Sequence, residues 1–201
     1  ALQVAAFVLL QFLAIPRPTG AERAAPGRSI AIIARNPVFI VAVLSGAIGY
    51  VAMNYQMVST PLAMAACGHD FTATKLVMQL HVLGMFVPSF FTGSLIKRFG
   101  VLEVMLVGAV LLLVDIAISL HGLEAAHFQV ALLLLGVGWN FLYVGASTLL
   151  VEIAQPADRN KIQAANDFLV FGLVSLSAFS SGALHEWMGF QPATLVTVPL
   201  I

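Results

Sequence analysis

Apolar residues run along this chain in windows of roughly 20 positions, the length a helix needs to cross a hydrocarbon core of about 30 Å. Short groups of Gly, Pro and charged residues separate the windows. The pattern predicts membrane-spanning helices over about Val38–Met64, Leu76–Ile96, Val101–Leu120, Phe128–Ala154 and Ile162–Leu184. The turn Cys67-Gly68-His69-Asp70 divides the first two, and His121–His127 joins the third to the fourth. Ala1–Ile15 is apolar but opens without Met or a charged segment, so it reads as the end of a helix entered partway rather than a signal peptide. Pro16–Pro37 contains Pro16, Pro18, Gly20, Pro26, Gly27 and Pro37; it cannot hold a continuous helix and reads as a loop between larger units. Residues 190–201 are apolar but too few to span, and read as a last helix cut short.

Composition turns these windows into a membrane assignment. Hydrophobic residues make up 60% of the chain and charged ones 9%, and the excess is spread over the whole length, so the bilayer must act as solvent for much of it. The formal net charge is zero with no basic or acidic tail, which excludes nucleic acid as a partner. The single cysteine, Cys67, rules out an internal disulfide and a cysteine-rich metal cluster and reads as a packing residue. Basic residues then orient the spans. Arg17, Arg23, Arg28 and Arg35 precede the first, Lys97 and Arg98 follow the second, and Arg159 and Lys161 follow the fourth. These alternate loops share one face, expected to be cytoplasmic; the opposite turns hold Lys75 with Asp70, Glu124 and Glu186. Plasma or inner membrane is the expected location.

The turn Gly93-Ser94-Leu95-Ile96-Lys97-Arg98-Phe99-Gly100 resembles the G-x-L-x-D-R-x-G signature of the major facilitator superfamily, matching at Gly93, Leu95, Arg98 and Gly100. Lys97 stands where the signature has an acid. The segment Pro156–Lys161, with Arg159, is similar to the family's other cytoplasmic turn, between helices ten and eleven. The resemblance covers essentially the whole chain. It implies an all-α, polytopic integral membrane protein: the C-terminal six-helix half of such a transporter, built as a 3+3 inverted repeat, from the end of helix six to a truncated helix twelve. On that reading residues 1–15 end helix six, 16–37 form the cytoplasmic loop between halves, and 38–201 form the C-terminal bundle. The implied partners are a small-molecule substrate, membrane lipid and the N-terminal half of the same protein.

Polar residues inside apolar spans need partners or ligands, so they are the candidate site. The resemblance implies a cavity lined by helices seven, eight, ten and eleven. In those spans Asn54, Tyr55, Gln56, Gln79, Asn140 and Tyr143 are the substrate-cavity candidates. Asn54 and Asn140 are each flanked by aromatics in corresponding spans of the repeat. Two acids are candidates for proton coupling. Asp115 lies well inside the third span, and Asp167 near the inner end of the fifth, where Arg159 or Lys161 is its expected partner. Gly93, Leu95, Lys97, Arg98, Gly100, Glu152 and Arg159 form the gating set, with Glu152 expected to pair with Lys97 or Arg98 in one transport state. Gly136, Gly138 and Gly145 thin the fourth span for close packing, and Pro61 and Pro88 break backbone hydrogen bonds.

The function expected is secondary active transport of a small solute by alternating access, ion- or proton-coupled, without a cofactor and without enzymatic chemistry. Two alternatives stand beside it. One is a non-transporting scaffold or sensor with the same fold. The other is a membrane metal-binding protein using His121-x-x-Glu124-x-x-His127.

Overall fold

The computed structural model describes Phe12, residues 27–195, Val198 and Ile201. Apart from Phe12, the helix end expected over Ala1–Ile15 lies outside the described residues, as does the loop up to residue 26. The described chain is helical: α1 (Ile30–Ile33), α2 (Pro37–Ala66), α3 (Phe71–Phe86), α4 (Ser89–Phe99), α5 (Val101–His121), α6 (Ala125–Ile153), α7 (Arg159–Met188) and α8 (Phe190–Leu195). Local chemistry sets the starts. The Asn36 side chain accepts a hydrogen bond from the Val38 amide at 2.9 Å and Pro37 takes the first helical position, while Asp70 accepts from the Ala73 amide at 2.8 Å to open α3. Gly68 adopts φ +79 between α2 and α3, and Cys67, expected inside the packing, is exposed there.

Helices α2, α5, α6 and α7 are each long and apolar enough to cross a membrane, and α3 with α4 makes a further span bent by 42°. The chain is a polytopic, all-α integral membrane protein. Its lipid-facing surface is apolar: on α5, Leu102, Leu106, Val107, Val110, Leu113 and Val114 are all exposed.

Helix α6 sits at the centre, packed against α3, α5 and α2. Glycine makes the approach close enough. A Cβ on Gly136 would lie 2.5 Å from the His81 carbonyl oxygen, and one on Gly84 would lie 2.5 Å from that of Leu133, so α3 and α6 cross backbone to backbone. Gly108 and Gly138 do the same for α5 and α6, where an added Cβ on either would come within 2.9 Å of the other's carbonyl. On its other side α2 packs against α7, and α8 lies against α5, α7 and α2. Helix α2 runs antiparallel to α6, with Gly46 facing Ala146 and Gly49 facing Leu142.

Pro88 lies at the bend of the second span. Having no N–H, it cannot bond the Gly84 carbonyl, and the helix restarts at Ser89. Asn140, buried on α6, closes the break. Its Nδ2 donates to the Met85 carbonyl at 2.8 Å and to Ser89 Oγ at 2.6 Å. Thr92 Oγ1 lies 2.7 Å from Asn140 Oδ1 and 2.8 Å from the Pro88 carbonyl, and its one proton can serve either.

Each end of the bundle is tied by side chains. At the end carrying the basic loops, Arg28 reaches the α6–α7 turn. Its backbone N–H donates to Asp158 Oδ1 at 2.6 Å, its Nε to Asp158 Oδ2, and its Nη2 to the Ile153 carbonyl at 2.8 Å. Lys161 Nζ donates to the Arg28 carbonyl at 3.1 Å. At the other end the His69 ring is 2.8 Å from the Leu123 carbonyl and edge-on to Phe128, which joins the two turns there.

Candidate functional site

Three helices each place two residues, four positions apart, on one flank: Tyr50 and Asn54 on α2, Trp139 and Tyr143 on α6, Asp167 and Phe171 on α7. These flanks meet. Trp139 and Tyr143 stack with ring centroids 5.0 Å apart and planes 10° from parallel. Tyr50 stands edge-on to Trp139 at 5.4 Å, to Tyr143 at 5.6 Å and to Phe171 at 5.6 Å. Burial is graded across the cluster: Trp139 is 8% exposed, Tyr50 and Tyr143 are half-buried, and Phe171 is 46% exposed. The rings lie ten to fourteen residues from the basic ends of their helices, about 15–21 Å at 1.5 Å per residue, which is mid-membrane depth.

Polar groups rim the cluster. Asn54 Nδ2 and Trp139 Nε1 are buried donors with no acceptor among the described residues. Leaving such a donor unpaired costs about 1–3 kcal/mol, which a ligand or a facing segment would offset. Asp167, half-buried, accepts at the same oxygen from Gln163 Nε2 at 2.7 Å and from Asn166 Nδ2 at 3.2 Å, and lies near enough to Tyr143 to act on it electrostatically. Its bonds run to these amides, and the expected pairing with Arg159 or Lys161 is not made.

The remaining candidates fall elsewhere. Gln56 donates to Asp115, joining α2 to α5, and both side chains are fully buried. Ser119 lies one turn beyond Asp115 on α5 and is also buried. Tyr55 is buried on the other flank of α2 from Tyr50. Gln79 is exposed in a crevice of about 780 Å³ between α2 and α3 that also includes Pro61 and Lys75. Asn140 is engaged at the α3–α4 break. Ser147 and Thr148 spend their hydroxyl protons on carbonyls of their own helix, at 2.8 Å each.

In the gating set, Gly100 turns the chain at φ +105, ψ 154 between α4 and α5, a conformation open almost only to glycine. Arg98 lies over the Phe99 ring at 5.1 Å. Lys97, Arg98 and Glu152 are exposed, and the ion pair among the described residues is Arg28 with Asp158. Arg159 is exposed at the first turn of α7. Leu95 lines an apolar crevice of about 410 Å³ with Phe99, Glu103 and Phe141. Among the described residues no group of three or more His, Cys, Asp or Glu is placed to hold a metal ion.

Of the residues in this cluster the sequence points to Asn54, Tyr143 and Asp167 as candidates and does not single out Tyr50 or Phe171. The four-residue spacing from each to a polar neighbour was the available signal.

The described residues thus form a polytopic bundle with a broken span, close glycine crossings and a polar-rimmed aromatic cluster at mid-membrane depth. Comparison with curated sequences finds relatives that are named as transporters. The chain is 42% identical over 183 residues to the riboflavin transporter RfnT of Brucella anthropi, which covers 87% of this chain and 46% of RfnT. It is 34% identical over 134 residues to YddS and 37% identical over 130 residues to YdeG, both uncharacterised MFS-type transporters of Bacillus subtilis. Those matches cover 66% and 64% of this chain, and 30% and 29% of the two relatives. The chain thus spans about half or less of the length of the relatives it matches. No protein-family model and no solved structure matches it. Over about two thirds of its length the chain is similar to MFS-type transporters.

Proposed function

We propose that this chain is the C-terminal half of a secondary active transporter that carries a small solute across the plasma or inner membrane by alternating access, with ion coupling. The observation that carries the reading is the aromatic cluster joining α2, α6 and α7 at mid-membrane depth, with polar groups at its rim. The glycine crossings and the clamped break at Pro88 support it, since close, apolar helix contacts with few interlocking side chains allow rigid segments to rock. The basic loops then face the cytoplasm. Identity to RfnT over most of this chain makes riboflavin the first solute to test.

The coupling group in this reading is Asp167. It is half-buried beside the ring cluster, whereas Asp115 is fully enclosed and held by Gln56. The experiment is riboflavin uptake into liposomes carrying the full-length protein, with and without an inward proton gradient. Gradient-dependent accumulation is expected. Flux equal to protein-free liposomes under both conditions would sink the riboflavin reading and favour a scaffold or sensor.

A further inference from the structure

We infer that Tyr50, Trp139, Tyr143 and Phe171 form a stacking site for a planar heteroaromatic ring, with Asn54 and Trp139 donating hydrogen bonds to acceptors on that ring. The inference rests on reading the chain as a solute transporter and adds what the solute must look like and which side chains read it.

The cluster grades from a buried indole to a Phe171 ring that is 46% exposed, so it has both an anchored side and an open one. The Trp139–Tyr143 pair is close to parallel, and Tyr50 meets both edge-on while also meeting Phe171, so the four rings form one continuous surface across three helices. A flat π-system extends such a surface by offset stacking or edge contact. The rim selects further. Two buried N–H donors, on Asn54 and Trp139, lack acceptors among the described residues. A ring bearing carbonyl oxygens or ring nitrogens supplies acceptors, and an alkyl or quaternary ammonium solute does not. The carboxylate of Asp167, on the Phe171 flank of α7, can accept from an imide N–H or a hydroxyl of the same solute.

The test uses full-length protein in detergent micelles and four probes: riboflavin, lumichrome (its ring system without the polyol chain), ribitol (the chain without the ring) and tetraethylammonium. Flavin fluorescence is quenched on stacking against Tyr or Trp, so riboflavin and lumichrome quench on binding, and ribitol and tetraethylammonium do not displace them. Tyr143→Leu and Phe171→Leu each weaken lumichrome binding about tenfold, the scale of one lost stacking partner. Phe171→Trp restores it to within about twofold, since a flat ring is regained. Phe171 is substantially exposed, so its truncation leaves the fold intact, and a monodisperse elution profile checks this. Wild-type lumichrome affinity in both leucine variants overturns the inference, as does displacement of lumichrome by tetraethylammonium. If lumichrome binds through these rings while riboflavin is not transported, the stacking site stands and the riboflavin reading falls.

Discussion

Asn140 illustrates how a residue type that suggests ligand binding can be consumed by the backbone. A proline in a membrane helix strands carbonyls that lipid cannot satisfy, and the amide on the neighbouring helix reaches the Met85 carbonyl at 2.8 Å. Asn140→Ala should lower stability by about 1–3 kcal/mol, the cost of a buried acceptor left unmade. Thermal unfolding in detergent measures it, and an unchanged midpoint would show that water or a shifted helix satisfies the carbonyl instead. Asp158 has a different role, in a turn outside the spans. Its hydrogen bond from Arg28 stabilises the charged form and holds the carboxyl below the ordinary aspartate value, with the nearby Arg28 and Lys161 charges adding to this. The contribution of the pair is therefore fully present above the unfolded value of about 3.9 and is lost as pH falls through the lower folded value. At pH 7, Arg28→Gln and Asp158→Asn should each lower the unfolding midpoint, with no further loss in the double variant. The gap to the unsubstituted protein should close as the pH drops below about 4.

At the scale of the helix, the membrane spans were legible because lipid enforces long apolar runs, and Pro88, Gly68 and Gly100 mark their breaks and turns in the sequence itself. The site was only partly legible. Hydropathy treats Tyr50 and Phe171 as apolar, and their convergence with Trp139 depends on how α2 and α7 rotate against α6, which no local pattern encodes. Likewise Gln56 and Asp115 are 59 residues apart and meet only through the packing of α2 on α5. Two glycines of the same motif separate conformation from packing. Gly100 has φ +105 and ψ 154, whereas a Cβ on Gly93 would meet nothing within 4 Å in this chain. Gly100→Ala should cost about 1–3 kcal/mol through backbone strain, and the Glu103 carboxylate, which an added Cβ would meet, must also turn away. Gly93→Ala should leave the stability of the isolated bundle unchanged or slightly higher, because alanine favours the helix. If Gly93→Ala preserves bundle stability but slows flux in the full-length protein, the space at Gly93 is needed by the facing half.

For the whole molecule, the two intramembrane acids separate by accessibility. A group that couples transport to a proton gradient must meet water from one side and then the other, and burial among fixed partners prevents that exchange. Asp115 is fully enclosed, takes the Gln56 amide and fastens α2 to α5. Asp167 is half-buried, its amide partners sit on its own helix, and it adjoins the ring cluster through Phe171 and Tyr143. Rocking of α7 against α2 would change its exposure together with that of the rings, which ties protonation to occupancy. Asp167→Asn should therefore abolish accumulation against a concentration gradient while sparing counterflow exchange, since binding and rocking survive when the charge step is removed. Asp115→Asn should keep accumulation and lower the thermal midpoint. The reverse outcome, with accumulation lost only in Asp115→Asn, would assign coupling to the α2–α5 contact and require that contact to open during each cycle.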